Sequence, residues 1–193
     1  MVDITGLDDL EQDLLQELFN ISLSKAAEVL SLLVNQEVEL TTPVVEFAQP
    51  SQVREMMSDH QYLCAVEQEI RGGFLGRAQL VFANDTSIEI VRLMLADKFS
   101  TESVEAIHQD AFCEVGNIVI NACIASLSEP LGEDFEIGLP TCETGPPERL
   151  FAQSANHGDP LLLTRINIQL RKSDIAGFII FSLSPDSFTT LKG

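Results

Sequence analysis

Two long stretches of the chain carry apolar residues at helical spacing, and each is followed by short runs of strand-forming residues. Apolar positions three and four residues apart predict helices over about 8–33 and 104–128. Runs rich in Val, Leu, Ile and Phe predict strands over 38–45 and near 135–139, and hairpins over about 64–83 and 161–184. With short helices at 87–95 and after 184, each half is predicted to contain a helix, a strand, a hairpin and a helix.

Turn-forming residues mark the boundaries of these elements. Asn35 is predicted to end the first helix, and Gly72 with Gly73 to form the turn of the first hairpin. Asn84, Asp85 and Thr86 are expected to cap the helix at 87–95, and Ser184, Pro185 and Asp186 to start the last one. The stretch 98–103 is the predicted link between the halves, and 142–160, which carries Gly145, three prolines and His157, is predicted to be a long loop.

One pattern of acids, amide and proline occurs twice, at a constant offset of 97 residues. Its copies are Asp13, Glu17, Asn20 and Pro43, and Asp110, Glu114, Asn117 and Pro140. A constant offset across four positions is expected when one unit has been duplicated. We therefore predict a single domain over 1–193, made of two similar repeats over about 1–100 and 101–193.

The acids and amides of each copy are predicted to share one face of their helix. At about 100° per residue, positions four and seven residues after the aspartate lie within roughly 40° of it. Ser24 and Ser31 continue the first stripe, and Asn121 and Ser128 the second. A polar stripe is commonly just a solvated face. Both copies nevertheless keep the same acid and the same amide, although Asn is a mediocre helix former, which favours selection for a chemical role.

The repeated pattern resembles the signature of the CheC, CheX and FliY phosphatases of bacterial chemotaxis. That signature is Asp or Ser, three residues, Glu, two residues, Asn, twenty-two residues and Pro, and both copies match it in full. The segment EVGNIVINA at 114–122 is especially similar to the family. Two motifs in one chain look most like CheC, since CheX-like members usually carry one and dimerise. FliY-like members add a flagellar-switch domain, for which the sequence leaves no room after Gly193.

This resemblance implies an α+β fold and a phosphatase activity. The pseudo-symmetric repeats would pool their strands into one mixed, largely antiparallel sheet, with the two long helices side by side and their stripes exposed. The implied reaction is hydrolysis of the phosphoaspartate on a CheY-like receiver domain. The receiver would supply Mg²⁺, so no cofactor or metal of the chain's own is expected.

The resemblance also assigns a role to each motif residue. The two asparagines, Asn20 and Asn117, would orient the attacking water, and a neutral carboxamide suits that role because it adds no charge near the phosphoryl oxygens. Glu17 and Glu114 would pair with a lysine of the receiver. Asp13 and Asp110 would bind the receiver surface or support the helix, and Pro43 and Pro140 would be structural, ending the approach to a strand.

Two open points concern activity. Phe19 and Lys25 stand in the first copy where the second has Gly116 and Ala122, which predicts that the first site is bulkier or weaker and that the second is at least as active. The alternative to an enzyme is an adaptor that binds a receiver, or a CheD-like deamidase, without turnover. The alternatives separate at the asparagines, because an adaptor should tolerate their loss and a phosphatase should not.

Composition and charge narrow the classes of partner. A chain of 193 residues that is 45% hydrophobic can bury one sizeable core. The net charge of −19 disfavours nucleic acid and anionic membranes and favours proteins with a basic patch. Residues 1–15 carry no secretory pattern, and no uninterrupted apolar run approaches about 20 residues, so the protein is predicted to be cytoplasmic.

Other catalytic classes find little support in the sequence. Four cysteines without a CxxC pair are predicted to be reduced core residues. His60, His108 and His157 lie far apart, and no metal-binding, GxSxG or Walker-type motif is present. Asp13 and Glu17 are one turn apart, with nothing to mark a sugar cleft, which disfavours a glycosidase pair.

Overall fold

A computed structural model describes residues 9–72, 76–95, 100–152, 161–170 and 173–183. Its helices are α1 (Asp9–Val34), α2 (Pro50–Met56), α3 (Asn84–Met94), α4 (Thr101–Leu131) and α5 (Pro147–Leu150). Its strands are β1 (Val38–Ala48), β2 (Leu63–Gly72), β3 (Gly76–Ala83), β4 (Phe135–Ile137), β5 (Thr141–Gly145), β6 (Leu161–Leu170) and β7 (Ser173–Leu183). The predicted α+β class is confirmed.

All of these strands form one sheet in which every described pair is antiparallel. The order is β1-β6-β7-β3-β2-β4, and β5 also pairs with β2. This order is pseudo-symmetric: from either edge, an edge strand of one half is followed by the two hairpin strands of the other half. The edge strand of the first half joins the hairpin of the second, and β4 and β5 of the second half join the hairpin of the first. The predicted pooling of strands is confirmed, and the two halves interlock.

Helices cover both faces of this sheet. The long helices α1 and α4 pack against each other, and with α3 they cover one face over the larger core cluster. The short helices α2 and α5 cover part of the other face, where Val53, Met57, Leu150 and Phe151 pack on the strands. The two motif helices therefore lie side by side on one face, as the resemblance implied.

Most predicted elements are confirmed, and several of their predicted boundaries are wrong. Asn35 ends α1 with φ of 50°, a left-handed conformation that Asn tolerates better than most residues. The predicted cap of α3 is wrong, because the helix already begins at Asn84 with Ala83 as its N-cap. The predicted loop at 142–160 contains part of β5 and all of α5, and the predicted strand at 135–139 ends at Ile137.

Two further features differ from the sequence prediction or lie outside the described residues. The sequence prediction missed α2, whose seven residues are too few for a helical period to stand out. α4 begins at Thr101, inside the stretch predicted to be a linker. Residues 96–99, His157 and the predicted last helix lie outside the described residues.

One segment of α4, Ala106–Ser128, is long and apolar enough to cross a membrane by length and composition alone. Asp110 and Glu114 interrupt its apolar character, and its apolar face is used within the fold. Val115, Val119 and Cys123 of this segment are buried in the larger core cluster. Many helices in protein cores have this length and composition, so the segment gives only weak support for a membrane role.

Gly116 lets α4 approach the sheet closely. A Cβ atom built on Gly116 would overlap the side chain of Val66 on β2. The equivalent position of α1 is Phe19, which is buried and packs on Phe181 with ring centroids 5.5 Å apart. The two motif helices therefore lie on the sheet through different contacts, although their exposed faces carry the same motif.

We expect Gly116→Ala to destabilise the protein by about 1–3 kcal/mol because the new methyl group overlaps Val66. In a helix with no close neighbour, Gly→Ala would stabilise the protein by roughly 1 kcal/mol. A decrease in the free energy of unfolding would therefore indicate the close approach of α4 to the sheet. The measurement is the free energy of unfolding from urea denaturation. The double variant Gly116→Ala/Val66→Gly lacks the Val66 Cβ that the new methyl group would meet, and it should be less destabilised than the sum of the single variants. A Gly116→Ala variant as stable as the parent would contradict the close contact.

Candidate functional site

The two motif copies present their polar residues in the same way. Asp13 and Glu17 of α1 are exposed, as are Asp110 and Glu114 of α4, and among the described residues none of the four has an ion-pair partner. Asn20 and Asn117 are half-buried one turn after the glutamates. Each helix thus offers free carboxylates beside an amide that reaches towards the sheet.

Each motif proline lies at a β-bulge in an edge of the sheet. In β1, Thr41 pairs with Asn167 and Val44 with Arg165, so two residues, Thr42 and Pro43, oppose one. On the other edge, three residues between Ile137 and Thr141 oppose two between Glu67 and Ile70, and Pro140 is among the three. A bulge is one of the few places where a strand accommodates proline. Pro43 therefore lies within its strand instead of ahead of it, and Pro140 lies between β4 and β5.

At the first site the bulge holds the amide of Asn20 directly. The backbone N–H of Thr42 donates to Asn20 Oδ1 at 3.1 Å. Around it, Thr42 Oγ1 lies 2.7 Å from the carbonyl oxygen of Arg165, and Thr164 Oγ1 lies 2.9 Å from that of Val44. The two hydroxyls also contact each other. Because a backbone N–H can only donate, the orientation of the Asn20 carboxamide is fixed.

At the second site, side chains take the place of the backbone donor. Gln68 Nε2 of β2 donates to Asn117 Oδ1 at 3.2 Å and to the carbonyl oxygen of Gly138 at 2.9 Å. Asn121 Nδ2, one turn along α4, donates to the same Asn117 oxygen at 2.8 Å. The Gly138 carbonyl can only accept, which fixes the orientation of Gln68 and hence that of Asn117.

The two asparagines expose the same end of the carboxamide. In each, Oδ1 accepts hydrogen bonds from within the protein, and Nδ2 has no hydrogen-bond partner among the described residues. Both amides therefore keep a donor available to an incoming group. Asn20 Oδ1 accepts one hydrogen bond and keeps its second lone pair available. Asn117 Oδ1 already accepts two hydrogen bonds, which use both of its lone pairs.

The expectation of a bulkier first site needs a correction. The Phe19 side chain is 1% exposed and lies in the core, so its bulk is not on the exposed stripe. Lys25 is exposed and is the only basic residue of α1. Gln68 and Thr42 are site residues that sequence reasoning missed. Gln68 had left a trace in the sequence, since it is a polar residue between Val66 and Ile70, the buried apolar residues on the same face of the strand.

The cysteines and acids outside the motif form no metal site in the described part of the chain. No group of three His, Cys, Asp or Glu residues there could hold a metal ion. All four cysteines are free, and Cys64 Sγ lies 3.5 Å from Cys142 Sγ across β2 and β5. Their hydrogen bond lowers the pKa of Cys64 and raises that of Cys142. Burial raises the pKa of the Cys123 thiol to about 12, as for an inert core residue.

Comparison with known proteins gives relatives in one group. No family model matches the sequence. The flagellar motor switch phosphatase FliY of Bacillus subtilis is 26% identical over 193 residues, covering 96% of this chain and 49% of the relative. The chain thus spans about half the length of that curated relative. The crystal structure of Thermotoga maritima FliY matches with a TM-score of 0.78 at 20% identity, covering 100% of both chains.

Two more distant structures share the fold. CheX in the CheX–CheY–BeF3–Mg²⁺ complex of Borrelia burgdorferi matches with a TM-score of 0.54 at 15% identity, covering 86% of this chain and 96% of that one. The chain is CheC/CheX/FliY-like in sequence and in fold. The FliG–FliM complex of H. pylori also matches, with a TM-score of 0.60 at 12% identity and coverage of 97% of this chain and 100% of that one. A special likeness to CheC within the group stays a prediction.

In this FliY-like chain we expect Thr164→Val to loosen the first bulge. Thr164 is fully buried, and its loss leaves the Val44 carbonyl without that donor, which should cost about 1–2 kcal/mol of unfolding free energy. The matched control is Thr41→Val, at an exposed threonine of β1, the strand that pairs with β6, and it should change stability by less than about 0.5 kcal/mol. Urea denaturation measures both, and equal stabilities of the two variants would contradict the role of the buried hydroxyl.

Proposed function

We propose that the chain hydrolyses the phosphoaspartate of a CheY-like receiver domain. The observation that carries the proposal is the repeated carboxamide, anchored to a sheet bulge through Oδ1, one turn after an exposed glutamate. Within the described part of the chain its Nδ2 has no hydrogen-bond partner and the glutamate has no ion-pair partner. Two findings support it. A relative at 26% identity is a flagellar motor switch phosphatase, and one structure with the same fold is a complex of CheX with CheY.

In the proposed reaction the asparagine positions a water molecule. An acyl phosphate is already reactive, and the receiver itself holds Mg²⁺, so little more than an in-line water is needed. Donation from Asn Nδ2 to one lone pair of the water leaves its other lone pair facing phosphorus. The amide is neutral, so it brings no charge near the phosphoryl oxygens. Anchoring through Oδ1 removes the rotational freedom that a solvated side chain would keep.

The acidic residues are proposed to supply binding. Glu17 and Glu114 are exposed and unpaired among the described residues, which leaves them free to pair with a lysine of the receiver. Asp13 and Asp110 extend the same stripe towards the start of each helix and are proposed to bind the receiver surface or support the helix. The net charge of −19 favours a partner with a basic face. A cytoplasmic location, where receivers act, is part of the proposal.

The second candidate function is an adaptor without turnover. A FliM chain found in complex with FliG shares this fold, so the fold by itself does not imply phosphatase chemistry. Under this alternative the acids bind a receiver, or a CheD-like deamidase, and the asparagines have no chemical role.

We expect the chain to accelerate phosphate release from a phosphorylated CheY-like receiver in the presence of Mg²⁺. Asn20→Ala and Asn117→Ala should each lose one site, and the double variant should lose the acceleration, because the positioned donor is gone from both sites. The measurement is the rate of phosphate release, with receiver binding followed in parallel by titration. Asn84→Ala, at the start of α3, is the matched asparagine control and should keep full activity.

Binding without acceleration by the parent protein would replace the phosphatase proposal with the adaptor. Loss of binding in the double variant would show that the asparagines supply affinity, which also contradicts the proposed division of roles.

We expect the isosteric double variant Glu17→Gln/Glu114→Gln to raise KM for the phosphorylated receiver about tenfold, with a smaller change in kcat. The reason is that each substitution removes a charge-assisted hydrogen bond made in both ground and transition states. The control is Glu55→Gln on α2, an exposed acid on the opposite face of the sheet. A fall in kcat with unchanged KM would contradict a binding role.

A further inference from the structure

A buried glutamine connects the second asparagine to the edge of the sheet. Gln68 is 2% exposed, and its Nε2 donates both to Asn117 Oδ1 and to the Gly138 carbonyl in the bulge before Pro140. Its Oε1 is buried and has no hydrogen-bond partner among the residues that the structure describes. Burying an unpaired amide oxygen lowers stability, so core packing does not explain why an amide is present here.

The first half shows what the fold accepts at the same place. In the second site Glu67 of β2 pairs with Thr141, and the next residue, Gln68, lies opposite the bulge. In the first site Arg165 of β6 pairs with Val44, and the next residue, Ile166, lies opposite the bulge in the same way. Ile166 is fully buried and apolar. An apolar side chain therefore fits this position in the pseudo-symmetric half, and there the backbone N–H of Thr42 holds the asparagine instead.

We propose that Gln68, together with Asn121, is the positioning residue of the second site, so that the two sites hold their asparagines by different means. The inference rests on the proposed function and deepens it. At the first site the anchor is a backbone donor that no side-chain substitution removes. At the second site two side-chain amides determine the direction in which Asn117 Nδ2 points.

Loss of this anchor should affect turnover more than binding. The terminal torsion of an asparagine side chain has broad, shallow preferences. Without Gln68, Asn117 Oδ1 keeps only the donor of Asn121, and among the described residues Asn121 Oδ1 has no partner that would fix the orientation of that donor. The carboxamides of Asn117 and Asn121 can then rotate together. A donor that is misaligned by a small rotation no longer places the water in line. Glu114, on the exposed stripe, is untouched by the change, and binding of the receiver is therefore preserved.

The test compares Gln68→Met in two backgrounds, each of which keeps one site. In the Asn20→Ala background, where only the second site remains, we expect kcat to fall about ten- to a hundredfold with KM unchanged. In the Asn117→Ala background, where only the first site remains, kcat and KM should not change. An equal fall in both backgrounds, or no fall in either, overturns the proposal.

Gln79→Met is the matched control for the removal of a buried glutamine. Gln79 is 4% exposed on β3 and donates through Nε2 to Glu67 at 2.8 Å. Like that of Gln68, its Oε1 is buried without a partner in the described part of the chain. It lies opposite Glu67, the neighbour of Gln68 in the strand, and so points to the other face of the sheet. We expect Gln79→Met to leave kcat unchanged in both backgrounds. A fall that matches Gln68→Met would assign the effect to general loosening of the sheet and overturn the proposal.

A second readout does not depend on activity. The side-chain amide of Asn117 can be followed by nuclear magnetic resonance relaxation in the parent and in Gln68→Met, with the Asn20 amide as internal reference. We expect the order parameter of Asn117 to fall and that of Asn20 to stay the same. If the parent does not release phosphate while Asn117 still loses order, the proposed function fails and the positioning role stands. If Asn117 keeps its order, the positioning role fails whatever the activity.

Discussion

The pairing of each half's edge strand with the hairpin of the other half is the constraint on which the rest of the structure depends. β1 finds its partner in β6, more than a hundred residues later, and β4 and β5 find theirs in β2. Neither half could complete its sheet alone. Because the crossing is reciprocal, the two long helices are brought onto one face and pack against each other. Both polar stripes therefore lie on helices that cover the same face of one sheet, although they are 97 residues apart in sequence.

The bulges at the two edges of the sheet hold the side-chain amides of Asn20 and Asn117. A half-buried carboxamide needs partners, and an irregular strand provides groups that regular pairing would have used. The two halves solve the problem differently. At the first, the bulge N–H of Thr42 is free to reach Asn20. At the second, Gly116 allows α4 to lie close against Val66, and the side chain of Gln68 bridges Asn117 and the bulge. The two halves share the exposed motif, whereas the support beneath it differs between them.

A fold shared with known proteins does not by itself imply the same exposed motif residues or the same function. FliY, CheX and FliM chains share the fold at low identity, so the fold is compatible with more than one role. Catalysis is favoured by the site itself, where a free amide donor lies beside carboxylates that have no ion-pair partner among the described residues, and this arrangement is present twice. These features depend on particular side chains of α1 and α4, which a shared fold does not by itself supply.

The sequence by itself determined the repeat, the helices that carry it, both hairpins and the family likeness, because periodicity and motif spacing are local. It placed Glu17 and Asn20 on one stripe for the same reason. The exchange of edge strands, the bulges around Pro43 and Pro140, and the reach of Gln68 to Asn117 were decided only by the tertiary structure. Each joins residues about 50 or more positions apart, and strand register is set by which residues oppose one another. Even the burial of Phe19 followed from this packing, since a position's exposure depends on what lies across from it.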